Sequence, residues 1–179
     1  RASVMTGRNP VRTNVPNHGL YLRPHETTIA EALKSKGYLT AHFGKWHIGY
    51  KPEFNPVRHG FDQFNGIISG NIDAHSHYDR VQILDWWRNQ EIKDEPGYHT
   101  DLITEHTIDF ITRHKDQPFF IYIGHKAIHP DAVQLDDGSV DLSVPRGYVP
   151  APRHRAHPRP ARRRRAAAHQ ASRQALPQP

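Results

Sequence analysis

The sequence predicts an α/β protein with a partial doubly wound, mainly parallel sheet. Twice a helical pattern runs into a short strand: residues 27–36 lead into 38–43, and residues 100–114 into 118–124. Helix followed by buried strand is the repeating unit of such sheets. The second strand, Pro118-Phe-Phe-Ile-Tyr-Ile-Gly124, is apolar without alternation, which predicts cover on both faces. Polar, chemically capable residues follow each strand, and in α/β sheets ligands gather beyond the carboxyl ends of strands.

Each element has a local cause. Residues Asn9 to Pro24 carry Pro10, Asn14, Pro16, Asn17 and Gly19 and read as a loop. Thr27 or Thr28 caps a first helix whose apolar positions Ile29, Ala32 and Leu33 share one face, and Gly37 supplies a left-handed stop. Tyr38 to Phe43 is the first strand. Gly44 and Gly49 then bracket Lys-Trp-His-Ile, a turn that presents Lys45 and His47 while Trp46 and Ile48 pack behind. Val81 to Lys93 is expected to form a hairpin around Arg88-Asn89-Gln90. Its adjacent Trp86 and Trp87 point to opposite faces, so one needs cover from outside the hairpin, as a sugar platform or beneath a portion of protein not in this chain. Thr100 is placed as the cap of a second helix over Asp101 to His114, with Ile103, Thr107, Phe110 and Ile111 as its buried stripe.

Two stretches offer chemistry. A fixed lysine cation beside a histidine that titrates near neutrality, as at Lys45 and His47, suits an anionic group whose ester bond is to be cut. Asp73-Ala-His-Ser-His-Tyr-Asp79 offers His75 and His77 at a two-residue spacing, on one side of an extended segment. That pair could chelate zinc or another divalent ion with Asp73 or Asp79 in a His-based metal-dependent hydrolase, or simply be polar loop residues. Asp136-Asp137-Gly138 reads as a turn.

The first stretch resembles a known signature. Gly37, Tyr38, Thr40, Gly44, Lys45, Trp46, His47 and Gly49 match the second signature of the sulfatase family. Arg1 to Arg8, Arg-Ala-Ser-Val-Met-Thr-Gly-Arg, resembles the second half of the first signature, and Gly60-Phe-Asp62 and the strand ending before His129-Pro130 resemble later family segments. The resemblance covers residues 1–154 and implies the alkaline-phosphatase-like fold. It implies hydrolysis of a sulfate monoester on a sulfated small molecule or glycan. The nucleophile would be a formylglycine made from a cysteine four residues before Arg1, assisted by a divalent metal, usually calcium. By the same carry-over Arg1 supports the nucleophile and metal, Lys45 binds sulfate, His47 handles the formylglycine proton and His129 contacts the leaving side. Ser76 and His77 fall near a Ser-His segment at the family's pocket rim and are expected as substrate contacts. The cysteine, the metal-binding aspartates and later segments are not in this sequence, so the chain itself is expected to be an inactive internal fragment.

Composition separates two regions. The chain has 179 residues, 36% hydrophobic, and a formal charge of +6. Residues 151–179 hold eight of the 24 Lys and Arg and no acid, leaving 16 basic against 18 acidic side chains in residues 1–150. The excess positive charge thus belongs to an Arg, Ala and Pro-rich tail, residues 155–179, which is expected to be disordered, as a nucleic-acid-binding arm or as the product of a reading-frame shift near His154. Its charge does not spread over the folded part as a nucleic-acid face requires, so no nucleic-acid partner is expected. No apolar run reaches membrane-spanning length, so no membrane partner is expected either. The absence of cysteine excludes disulfides and thiolate metal sites from this chain and leaves the compartment undetermined.

Overall fold

The structure is a computed structural model. It describes residues 1–79, 81–126, 133–134 and 140–141. Expected His129, the Asp136-Asp137-Gly138 turn and the tail at 155–179 lie outside the described residues.

Five strands form one sheet: β1 (Leu39–Lys45), β2 (Gln63–Ile67), β3 (Trp87–Arg88), β4 (Glu91–Ile92) and β5 (Phe119–Gly124), in the order β4-β3-β2-β1-β5. β1 pairs parallel with both β2 and β5, while β3 and β4 add an antiparallel hairpin to the β2 side. The α/β sheet is therefore mainly parallel, as expected. A two-residue pair, β6 (Val133–Gln134) and β7 (Val140–Asp141), stands apart and is antiparallel.

Among the described residues three α-helices accompany the sheet: α1 (Ala2–Thr6), α2 (Ile29–Lys34) and α3 (His99–His114). Period-two alternation along β1 serves two separate cores. Phe43 points towards α3 and meets Phe110 edge-on at 5.8 Å, in a core with Ala41, Trp86 and Ile103. His42 points the other way, into a ring of Trp46, Phe61, Phe64 and Tyr122, beside the core built from Met5, Leu22, Ala30 and Phe61.

α2 starts with a full capping box. Thr28 Oγ1 accepts from the Glu31 amide, and the Glu31 carboxylate accepts from the Thr28 amide at 2.7 Å. Gly37 takes the left-handed conformation that ends it. The buried face differs from expectation: Ala30 is inside, whereas Ile29 and Ala32 are exposed and Leu33 is half-buried. A six-residue helix presents too little surface for its periodicity to identify the packed side. For α3 the cap is Tyr98 rather than Thr100, and Leu102 joins Ile103, Thr107 and Phe110 in the buried stripe while Ile111 is exposed.

Other departures follow from tertiary context. α1 carries no apolar period and was not expected; burial of Ala2 and Met5 holds it. β2, reading Gln-Phe-Asn-Gly-Ile, is short and mixed, yet it is a central strand because β1 and β3 flank it. β5 stands at the edge of the described sheet, and its residues are half-buried with Ile123 exposed, not covered on both faces. Trp86 finds its cover within the described residues: it is buried against His77 at 4.6 Å, and its indole N–H donates to Glu95.

Candidate active site

The signature residues divide into those that build the turn and those that face outward. Thr40 Oγ1 donates to the Gly60 carbonyl, the Thr40 amide donates to Asp62 at 3.0 Å, and Lys34 pairs with the same carboxylate at 2.5 Å. Burial opposes charge on Asp62, but those donors outweigh it and hold its carboxyl below the usual range. The Gly60-Phe-Asp62 segment is thus a clamp on the start of β1, with Phe61 in the core. Trp46 is fully buried and donates its indole N–H to the Phe54 carbonyl at 2.8 Å.

Backbone proximity delivers the polar pair. Gly66, Gly44 and Gly124 stand in one row across β2, β1 and β5. Gly44 has φ +99°, and a Cβ there would lie 2.4 Å from the Gly124 carbonyl oxygen, so only glycine lets the strands close up just before Lys45. Beyond β1 the Trp46 and His47 amides donate to the carbonyls of Ile67 and Ile68. His47 sits in the left-handed region at φ 57°, a conformation uncommon for a residue with a side chain. With Trp46 and Ile48 buried on either side, this conformation turns the imidazole outward.

The outward groups meet in a cleft of about 680 Å³ at the carboxyl ends of β1 and β2. Arg1, Lys45 and His47 all line it, so three of the four residues expected to do chemistry are brought together. Lys45 is 7% exposed, and its ammonium donates to the Gly70 carbonyl. His47 lies over Gly70, whose added Cβ would be 2.8 Å from Nε2. His18 stacks on His47 at 5.7 Å, and Tyr50 approaches it edge-on at 6.2 Å. The loop beneath is tied down by Asp85, buried to 4% exposure. Asp85 accepts from the Ile68 and Ser69 amides at 3.2 and 2.8 Å and from the Trp87 indole at 2.6 Å. Burial pushes its carboxyl up, against those hydrogen bonds.

His18, Tyr50, Ser69 and Asn71, which line the cleft, and Asp85, which holds its loop, were missed in the sequence; Asp79, weighed there as a metal ligand, also lines the cleft. His18 lies in a Pro and Asn-rich loop, and Asp85 lies in a stretch read as hairpin; neither has a spacing that relates it to β1. Ser76 and His77 are not among the cleft-lining residues. Ser76 is exposed and bonds to Asp73, and the segment is a turn rather than extended. His77 is 1% exposed, stacked on Trp86, with Nε2 at 3.1 Å from the Gly97 carbonyl. His75 is exposed while His77 is buried, and among the described residues no group of three His, Cys, Asp or Glu gathers around them that could hold a metal ion, so the metal reading finds no support.

A sulfatase family model matches residues 1–168. The chain belongs to the sulfatase family. Human N-acetylgalactosamine-6-sulfatase is 30% identical over 154 residues, covering 72% of this chain and 30% of that protein. Among solved structures, BT4656 in complex with its substrate D-glucosamine-2-N,6-O-disulfate is 30% identical with a TM-score of 0.54, covering 73% of this chain and 25% of that one. Ps i-CgsB has a TM-score of 0.65 at 24% identity, covers 76% of this chain and 36% of that one, and shows the shared fold. This sulfatase chain therefore spans about a third or less of the relatives it matches.

The family implies a metal ion and formylglycine. Among the described residues no three His, Cys, Asp or Glu side chains gather to hold a metal ion, and the chain has no cysteine to yield formylglycine. The residues present do not fit either group, so the chemistry assigned to the cleft comes only from its own side chains. They include Arg1, Lys45 and His47 together with the carboxylate of Asp79, around a hollow the size of a small molecule.

Proposed function

We propose that this chain is the sulfate-holding part of a sulfuric ester hydrolase acting on sulfated sugars. The observation that carries the reading is the convergence of Arg1, Lys45 and His47 on one cleft at the carboxyl end of the sheet, in a chain of this family. Lys45, buried and fixed by Gly70, is a preset cation for the sulfate oxygens. Arg1 offers a second cation with fork geometry. His47, able to hold or release a proton at Nε2, serves proton transfer beside the ester. His129 remains the proposed contact on the leaving side. The sugar part of the reading rests on human N-acetylgalactosamine-6-sulfatase and on the glucosamine disulfate bound by BT4656.

Sulfate binding tests it directly. Titrating the chain with inorganic sulfate at low ionic strength should shift the amide resonances of Lys45, His47 and Gly70. Lys45→Ala should weaken binding about tenfold or more, the usual worth of a hydrogen bond to a charged group. Lys36→Ala, in the exposed turn after α2, should leave it unchanged. Equal affinities in the two variants would remove Lys45 from the site.

A further inference from the structure

We propose that His18 is a positioning residue that sets the ring plane of His47; its effect on anion affinity rests on the sulfate-holding reading of the same cleft. The need for such a residue comes from His47 itself. The last side-chain torsion of a histidine is broad, so packing must choose the plane of the ring. Its chain neighbours do not choose it, because Trp46 and Ile48 are buried while the left-handed backbone at φ 57° turns the imidazole outward. Gly70 meets the ring near Nε2 but has no side chain to lie along it. Tyr50 presents an edge at 6.2 Å, its plane 72° from that of His47. His18 lies flat against the ring, with centroids 5.7 Å apart and planes within 16°. That separation and tilt are those of a stacked aromatic pair, whose attraction depends on the relative orientation of the rings.

The loop that carries His18 is fastened to the turn that carries His47. Val15 and Leu22 are buried in one core on either side of His18, and Leu20 packs against the same core. Between them Gly19 takes the left-handed conformation at φ 77°. The Leu22 amide then donates to the Ile48 carbonyl at 2.9 Å, one residue beyond His47. The His18 side chain is exposed, yet it stands on a backbone anchored at both ends. Arg1, His18 and His47 line not only the larger cleft but also a neighbouring hollow of about 280 Å³, so the stacked pair stands in the wall between the two. Ordering a side chain at the moment of binding costs affinity. An anion arriving between Arg1, Lys45 and His47 meets an imidazole already in place.

NMR of the 179-residue chain at one fixed pH, first without ligand and then titrated with inorganic sulfate, tests this. Without ligand, the wild type should show nuclear Overhauser contacts between the ring protons of His18 and His47. His18→Ala should shift the ring signals of His47 and raise its ring mobility, while the Trp46 indole and Ile48 amide signals stay in place. His18→Phe, which keeps a flat ring, should restore the contacts and the low mobility. In the titration, His18→Ala should weaken sulfate binding about threefold, the cost of ordering one side chain, and His18→Phe should recover most of that loss. Unchanged His47 mobility in His18→Ala overturns the proposal. So does an equal loss of affinity in both variants with the His47 ring held in His18→Phe, because His18 would then touch the anion itself. A His47 ring released by His18→Ala in a wild-type chain that binds no sulfate upholds the positioning role and overturns the sulfate-holding reading alone.

Discussion

His42 sits wholly inside the protein, on the second residue pair of β1, with Nδ1 at 3.0 Å from the Tyr122 carbonyl and Nε2 without a partner among the described residues. Burial lowers its pKa to about 4; the Tyr122 carbonyl opposes this, and Arg1 adds to it. His99 is lowered to about 3, by burial first and then by Lys126 and neighbouring histidines. Both are neutral in the fold but take up a proton near pH 6.5 when unfolded. The unfolded chain thus binds more protons across the window from pH 6.5 down to about 4, and stability falls as pH falls through it. Each histidine should contribute a slope of up to about 1.4 kcal/mol per pH unit there, and none above pH 7. Urea midpoints measured from pH 7.5 to 4.5 check this, and His42→Phe, a ring of similar size among aromatic neighbours, should flatten the dependence. An equal slope in that variant would mean that other groups carry the acid sensitivity.

At the scale of elements, the row of glycines and the capping box decide whether the cleft forms. Gly44→Ala places a methyl group against the Gly124 carbonyl in a backbone region that disfavours side chains. The cost should be at least about 2 kcal/mol, read as a lowered urea midpoint with an unchanged slope. Thr28→Ala removes both the cap of α2 and the bond from Thr28 Oγ1 to the His59 carbonyl at 2.8 Å. A loss of about 1 to 2 kcal/mol is expected in the same measurement. The two substitutions should differ in a second respect. Gly44 adjoins Lys45, so its replacement should also weaken sulfate binding, whereas Thr28→Ala should leave binding intact wherever the protein remains folded.

For the whole molecule, holding an anion and hydrolysing its ester are separable. The chain carries the cations of the cleft but neither a cysteine nor, among the described residues, a cluster of metal ligands. Loss of a covalent nucleophile alone costs several orders of magnitude in rate. The purified 179-residue chain should therefore release no aryl alcohol from 4-nitrophenyl sulfate above the uncatalysed rate, while binding sulfate weakly. Steady turnover abolished by His47→Ala would overturn this.

Much of the frame was legible in order along the chain. Helix before strand, twice, set the α/β class, and Gly37, Gly44, Lys45, Trp46, His47 and Gly49 marked the turn and the family, because turn chemistry and motif spacing are local properties. Local pattern also placed Trp46 and Ile48 inside. It could not place what depends on pairing between distant segments. β2 is a strand because β1 and β3 flank it, and α1 is a helix because Ala2 and Met5 have a core to enter. His77 is buried because Trp86 and Gly97 close over it. His18 and Asn71 reach the cleft through loops whose sequences carry no period, so no spacing relates them to Lys45. The sequence by itself determined the class of fold, the family and the turn that carries Lys45 and His47. Tertiary structure alone decided which further side chains surround that pair, because those contacts join residues that only folding makes neighbours.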